Sequence, residues 1–512
     1  MLRLTANTIN PQISFASIKT AKSETENGAI SHSTTGDPRL DFFCKVTRDT
    51  PENYLQFLLQ ASWEKDPLDT LKIVFHLRDC RGGKGEREQF YRALRWLMHN
   101  HQEELSANLE HVPFYGRFKD FLVFLDTPLE GKMIELFVAQ LKADKFLLDG
   151  PLEDRNKISL AAKYAPTEGQ SHDIKHKAVK KFAASLQASK KSYRKEWLVP
   201  LRNHINILEH HMTDQDQDWA SIEFSKVPSV ALKKYKKAFA RRQEARYSSW
   251  LESVKKGEAK INVGRLMPHE IVGAYIKSGT QVTGALDQTV EAQWTAFVEQ
   301  TRKTTKFGNA LAIVDVSGSM AGGPKEKVAP VLVSTALGLL VASLTKGIFH
   351  DKFITFAESP ELVHVKGDTL HRKLSNMTQS NWGTNTNFQK ALTLVLEAAK
   401  LYSVKPEDMP STLFVFSDMQ FDRAFPDNAT TNRAALTQKY AKFGYKVPRI
   451  VFWNLRGNTL DFPTTQDDGN TCILSGFSSD LLKLIVDGEE ISPLAMMRKA
   501  LDDPRYQRIT LA

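Results

Sequence analysis

Asp315, Ser317 and Ser319 stand at alternate positions in the stretch LAIVDVSGSM, directly after four apolar residues. Such a run reads as a buried parallel strand whose carboxyl end opens into a polar loop, the place where an open α/β sheet carries its ligand site. Gly318 lets the loop turn sharply, so three oxygen-bearing side chains can converge on one hard cation such as Mg²⁺ or another divalent ion. Two further loops carry matching groups. NWGTNTNFQKAL places hydroxyls at Thr384 and Thr386 just before a helical pattern, and LFVFSDMQFD ends a strand at Asp418. Asp315, Ser317, Ser319, a threonine and Asp418 thus offer five oxygen groups from three neighbouring loops, an octahedral set with room for water and one exchangeable ligand.

The elements that must position these loops begin at Asn309. LAIVDVS, KFITFA, STLFVFSDM, PRIVFWNL and TCILSGF are short apolar runs, and the helical stretches VAPVLVSTALGLLVASL and FQKALTLVLEAAKLY lie between them. This alternation is the grammar of a mainly parallel sheet with helices on both faces, and ELVHVKG adds a hairpin edge strand. The α/β unit spans 309–490, with 491–512 as a C-terminal helix or tail and TRKTTKFGN as its connector to the preceding part.

Residues 1–37 have Ser, Thr, Asn and Gly clusters without a sustained period and read as an irregular lead-in. From 38 to 300 the pattern is helical without strands, which implies an α-solenoid, HEAT-like, or an irregular helical array, although no strict repeat is visible. In DPLDTLKIVFHLRDC, Asp66 caps a helix with Pro67 at its first position, and Leu68, Leu71, Val74 and Phe75 form an apolar stripe. EREQFYRALRWLMHNH supplies the second arm of an αα-hairpin, joined through RGGKG. That joint is no P-loop, because it follows a helix and Lys84 precedes Gly85 instead of Ser or Thr; a basic joint offering Arg81, Lys84 and Arg87 to an RNA backbone is the functional alternative to a plain turn.

Composition narrows the classes. The 512 residues are 41% hydrophobic and 25% charged, and no stretch reaches the roughly 18 unbroken apolar residues of a spanning helix, so no membrane partner is expected. Cys44, Cys80 and Cys472 are far apart and make no CxxC pair, which points to a reducing compartment, the cytoplasm. The net charge of +10 is local: between Ile174 and Lys260 there are 20 Lys and Arg against 9 Asp and Glu. A concentrated basic surface fits a polyanion, RNA first. In VALKKYKKAFARRQEARYSSW, Leu232, Tyr235 and Phe239 take core spacing while Lys233, Lys237 and Arg241 recur on another face, flanked by Lys234 and Arg242. Tyr193, Tyr247 and Trp250 are candidates for base stacking, although their helical spacing also suits a core. His269-Glu270 lacks the second histidine of a zinc helix, since Gly273 stands there, and adjacent His210 and His211 point to different sides.

The three-loop pattern resembles the von Willebrand factor A domain, whose metal-ion-dependent adhesion site reads DxSxS, then a Thr before a helix, then an Asp after a strand. The resemblance implies a Rossmann-like, doubly wound fold over 309–490 and a metal site of Asp315, Ser317, Ser319, Thr386 and Asp418, with Thr384 as the fallback for Thr386. In that family the coordination is completed by a carboxylate from a protein partner, which makes the site a docking device. A haloacid-dehalogenase-like reading, hence a Mg²⁺-dependent phosphoester hydrolase, needs DxD where Ser317 stands, and Asp422 is the nearby extra acid. Over 38–490, runs such as DPLDTLKIVFHLRDCRGGKGERE, FSKVPSVALKKYKKAF and IVFWNLR resemble a family of uncharacterised proteins of eukaryotes and large viruses that carries the domain-of-unknown-function label 2828. In plan the chain is similar to the Ro autoantigen and its TROVE module, which implies a non-enzymatic RNA-binding scaffold. A metal-dependent protein-interaction module without nucleic acid is the alternative.

Overall fold

Asp37 accepts a hydrogen bond from the Arg39 backbone N–H at 2.9 Å, and Pro38 fills the first helical position. This pairing starts the first of a series of helices: α1 (Pro38–Lys45), α2 (Glu52–Lys65), α3 (Pro67–Arg78) and α4 (Arg87–Asn100). The computed structural model of the protein describes residues 22–24, 30–205, 207–213, 219–276, 281–306, 308–322, 328–356, 359–377, 388–419, 436–459, 461–486, 488–489 and 491–512. The expected hairpin forms: Asp66 accepts from the Asp69 N–H at 2.9 Å to start α3, and α4 returns after the glycine-rich joint. A Cβ on Gly83 would lie 2.2 Å from the His76 carbonyl oxygen, so the joint needs glycine there. The single apolar stripe read for α3 is too narrow, because Ile73, His76 and Leu77 are buried as well as Leu71, Val74 and Phe75. The helix is central and is covered on several sides.

The array continues through α5 (Glu130–Asp149), α6 (Ser229–Arg242), α7 (Glu244–Lys255) and α8 (Gln288–Thr304), with shorter helices and turns between them. The basic stretch 229–255 breaks at Gln243 into two helices, whose Leu232, Phe239, Tyr247 and Leu251 share a separate small core with Trp219, Ile222 and Phe224. Thr301 and Thr304, expected in a connector, instead continue α8, and the Thr301 hydroxyl donates to the Phe297 carbonyl at 2.8 Å. The lead-in is not wholly irregular: β1 (Lys22–Glu24) pairs antiparallel with β2 (Ile30–His32), and His32 bridges to Phe462.

Beyond α8 lie β3 (Ala310–Val314), α9 (Pro330–Leu344), β4 (Lys352–Thr355), β5 (Leu362–His364), α10 (Phe388–Leu401), β6 (Thr412–Ser417), β7 (Arg449–Asn454), β8 (Thr471–Ser475) and α11 (Pro493–Leu501). The sheet order is β5-β4-β3-β6-β7-β8, parallel throughout except for β5, which pairs antiparallel with β4 as the edge hairpin expected from ELVHVKG. This is a doubly wound sheet set behind a helical array, the plan that the resemblance to the von Willebrand factor A domain implies. Every residue of β3 is buried, as strands covered on both faces must be. Helix α9 packs close upon it, since a Cβ at Gly338 would lie 2.3 Å from Val314 Cγ2.

One continuous apolar core runs from α1 into both faces of the sheet, and α1 and α11 lie against β8. Lys84 joins the halves from inside: it is 1% exposed and its ammonium donates to the Phe43 and Val46 carbonyls and to the Ser475 hydroxyl. The C-terminal tail closes over the helices. Arg505 grips fully buried Asp79 with two bonds of 2.9 Å, the Tyr506 hydroxyl donates to Asp79 at 3.0 Å, and Tyr506 stacks on Tyr115 at 5.4 Å between ring centres. Among the described residues no helix is long and apolar enough to cross a membrane.

Two stability predictions follow from this junction. Arg505→Ala strips a buried carboxylate of its cation and should cost about 2–3 kcal/mol in urea melts, less than a fully buried pair because the arginine is part-exposed; an unchanged midpoint would sink the latch. His76 is fully buried, neither ring nitrogen has a hydrogen-bond partner among the described residues, and burial pushes its pKa down to about 3. The unfolded chain binds that proton near pH 6.5, so stability is full above about 6.5 and is lost as pH falls toward 3, by roughly 3 kcal/mol at about pH 4. His76→Leu should flatten that part of the acid limb, measured as the difference in unfolding free energy between neutral and acid pH.

Candidate functional site

Strand β3 delivers Asp315 to the carboxyl edge of the sheet, where its N–H continues the ladder by donating to the Phe416 carbonyl at 3.1 Å. The Asp315 carboxylate is 1% exposed. One oxygen accepts the Ser317 backbone N–H at 2.9 Å and the other accepts the Ser417 hydroxyl at 2.6 Å. The chain then makes a short 3₁₀ turn, Gly318–Ala321, pinned below by buried Met320, so that the Ser317 and Ser319 hydroxyl oxygens lie 3.0 Å apart. Ser319 and Gly318 are exposed, which opens the loop to solvent.

Asp418 follows the neighbouring strand β6, is 2% exposed, and is held by a left-handed turn at Met419, whose N–H donates to the Ser417 hydroxyl at 3.2 Å. The two carboxylates feel each other: burial first, and then the Asp418 charge, push the Asp315 carboxyl well above the usual range. The fold therefore brings Asp315, Ser317 and Ser319 into one loop beside Asp418. Thr384, Thr386 and Asp422 lie outside the described residues. Buried carboxylates with adjacent hydroxyls on a solvent-facing loop form an all-oxygen donor set, and a divalent cation would relieve their mutual repulsion, so the residues fit such an ion. Ser417 was missed in the sequence; its place directly before the strand-end aspartate was the available signal.

The other end of this edge is occupied by the helical array. Asp49 accepts the Gly457 N–H at 2.9 Å just past β7, and a Cβ at Gly457 would sit 1.9 Å from the Thr50 hydroxyl. Lys45, 2% exposed, reaches the Asp461 carbonyl at 2.5 Å and lies 4.6 Å from the Phe462 ring centre. Burial pushes its pKa down to about 8 against the charges of Asp461, Asp41 and, in part, Asp418.

The expected RNA-contact residues separate into three groups. Lys84 is withdrawn as a phosphate contact, because its ammonium is spent inside the fold on backbone carbonyls and Ser475. Arg81 and Arg87 are exposed at the joint, Arg81 donating to the Phe114 carbonyl at 2.6 Å and Arg87 paired with Glu88 at 2.7 Å. Arg265, passed over in the sequence, crosses to this joint by donating to the Cys80 carbonyl at 3.0 Å. On α6, Lys234, Lys237, Arg241 and Arg242 are exposed, whereas Lys233 is half-buried and burial lowers its pKa. Tyr193 and Tyr247 are core residues, and Trp250 is part-buried with its indole N–H donating to Ser225 at 3.0 Å.

Comparison with known proteins places the chain. A family model described as Domain of unknown function (DUF2828) matches residues 25–135 and 128–307, and one described as Domain of unknown function (DUF7788) matches 309–505. The resemblance read over 38–490 therefore divides between two models at the start of the sheet. The "Uncharacterized protein L728" of Acanthamoeba polyphaga mimivirus is 34% identical over 513 aligned residues, covering 93% of this chain and 87% of that protein. The crystal structure of the Deinococcus radiodurans RO (RSR) protein matches with a TM-score of 0.45 and 14% identity, over 92% of this chain and 100% of that one. By the extent of the family match and of the viral relative, this chain belongs to the DUF2828 family.

Proposed function

We propose that the protein is a non-enzymatic cytoplasmic scaffold that docks an acidic group of a protein partner through a divalent cation, Mg²⁺ by the hardness of its donors. The observation that carries this reading is the buried Asp315 and Asp418 pair beside the open Ser317 and Ser319 hydroxyls. Asp315, Ser317, Ser319 and Asp418 would hold the ion, with Thr386, or Thr384 in its place, as the expected fifth donor from the α10 side. The ion supplies positive charge at a solvent-facing point and so turns an anion-repelling loop into an anion-accepting one. Ser317, in the position where DxD hydrolases carry a second aspartate, favours docking over phosphoester chemistry.

A second role for the same scaffold, RNA binding, is supported by the exposed cations Lys234, Lys237, Arg241 and Arg242 of α6, whose Leu232 and Phe239 are packed into the small second core. Arg81 and Arg87 would extend the contact at the joint.

In thermal melts, millimolar Mg²⁺ should raise the native Tm by a few degrees over EDTA, and Asp315→Ala should abolish the response. Asp418→Asn removes the like charge, so it should raise the Tm in EDTA while also losing the Mg²⁺ response; a native protein indifferent to the ion retires the docking role. For RNA, the logarithm of affinity for a structured RNA should fall with the logarithm of salt at a slope of about −3 to −4, and Lys234→Gln with Lys237→Gln should flatten it by about 2. Binding that ignores salt, or a slope unmoved by the double variant, would overturn the α6 contact.

A further inference from the structure

The opposite edge of the sheet carries exposed aromatic rings that neither role explains. Tyr402 is 56% exposed just past the end of α10, and Phe443 is 45% exposed in the turn before β7, with Leu401 beside them at 77%. Each ring already has an ammonium against it. Lys400 Nζ lies 4.0 Å from the Phe443 ring centre, and Lys352 Nζ lies 5.2 Å from that of Tyr402. The two turns are tied together, because the Tyr445 hydroxyl donates to the Val404 carbonyl at 2.7 Å. Lys352 opens β4, 402–404 lead toward β6 and 443–445 lead toward β7, so the cluster sits at the amino edge of the parallel strands. Asp315 and Asp418 are a strand length away, roughly 15–20 Å.

Charge on this face is mainly positive. Lys346, Lys405, Lys442 and Lys446 are exposed in the surrounding turns and Lys439 in the helix before them, against exposed Glu397, Glu407 and Asp408; Asp351, just before β4, is committed to Lys373 at 2.6 Å. Large exposed rings also occur in protein interfaces, but the cores of those interfaces are depleted in lysine, and here each ring is clamped by one. Aromatic faces flanked by cations are what an unpaired strand uses: bases stack on the rings while phosphates meet the ammonium groups. A duplex keeps its bases stacked on each other and cannot present them to Tyr402 or Phe443.

We propose that Tyr402, Phe443, Lys400 and Lys352 form a stacking platform for single-stranded RNA, two bases long at its centre. The platform depends on the proposed function for its choice of RNA as ligand class, and not for its surface.

The test uses the full chain and fluorescence anisotropy at low salt with a labelled oligouridylate, a labelled RNA duplex and a labelled oligothymidylate. The native protein should bind the oligouridylate, and Tyr402→Ala with Phe443→Ala should weaken it at least about tenfold while leaving duplex binding unchanged. Tyr402→Phe with Phe443→Tyr keeps both rings and should retain the affinity, which separates stacking from misfolding. Replacing Lys234, Lys237, Arg241 and Arg242 by Gln should remove duplex binding and leave the oligouridylate bound. Single-strand binding without any duplex binding would discard the α6 contact and support the platform. Native protein that ignores the oligouridylate, an alanine variant that binds it as tightly as native, or oligothymidylate bound equally well would each overturn the proposal.

Discussion

A buried ammonium must direct every N–H to an acceptor, and Lys84 does so by drawing three chain segments to one point: the carbonyls at the end of α1, the glycine-rich joint that carries the lysine, and the Ser475 hydroxyl at the tip of β8. Burial lowers its pKa to about 8, against the attraction of Glu86, so the charge is expensive to hold there and its acceptors cannot be given up singly. The helical array and the sheet are therefore one folded body on this side. The Gly457 and Thr50 contact and the Asp49 bond repeat the constraint a few residues away, and Arg505 on Asp79 repeats it from the C-terminal tail.

That junction decides where the sheet is open. A doubly wound sheet takes its ligand outside the carboxyl ends at the point where the strand order reverses, here between β3 and β6, and the β7 and β8 end of the edge is filled by residues 43–50. What remains accessible is the β3 and β6 end, where the Ser319 loop meets solvent. The electrostatics point the same way. Two carboxylates buried side by side raise the free energy of the protein without an ion, and the bonds from Ser317 N–H and Ser417 hydroxyl only partly offset it. A fold keeps such a strained pair where a function needs it more often than where packing does.

Much of this was legible in the chain, and the part that was not has a physical reason. The strands and the edge hairpin could be read because fully buried strands are continuous apolar runs, as LAIV and LFVF are. The α3–α4 hairpin could be read from Asp66, Pro67 and the glycines, because caps and turns are local. Asp315, Ser317, Ser319 and Asp418 could be paired because the ends of adjacent parallel strands must be neighbours. Lys84 was misread for the converse reason: between glycines it has the look of a surface residue, and the groups that bury it come from 38 to 391 positions away. Arg505 on Asp79 is hidden in the same way, 426 positions apart. Ser417 is a short-range case that was simply overlooked, since a serine at a strand end looks like part of the strand.

The polarity of the sheet also explains why opposite charges collect at its two edges. In a parallel α/β unit each crossover helix starts near the carboxyl edge and ends near the amino edge, so its partial positive end faces one side and its partial negative end the other. Asp315 and Asp418 lie on the side of the helix starts, where negative charge is tolerated best. Lys400 lies in the last turn of α10 and Lys352 at the first residue of β4, on the side of the helix ends, where cations are held most easily. Rings placed there acquire ammonium neighbours at little electrostatic cost. An acidic, ion-dependent contact and a cationic, aromatic one would therefore fit on one small domain because its crossover helices α9 and α10 point the same way, and each would meet its own partner without shielding the other.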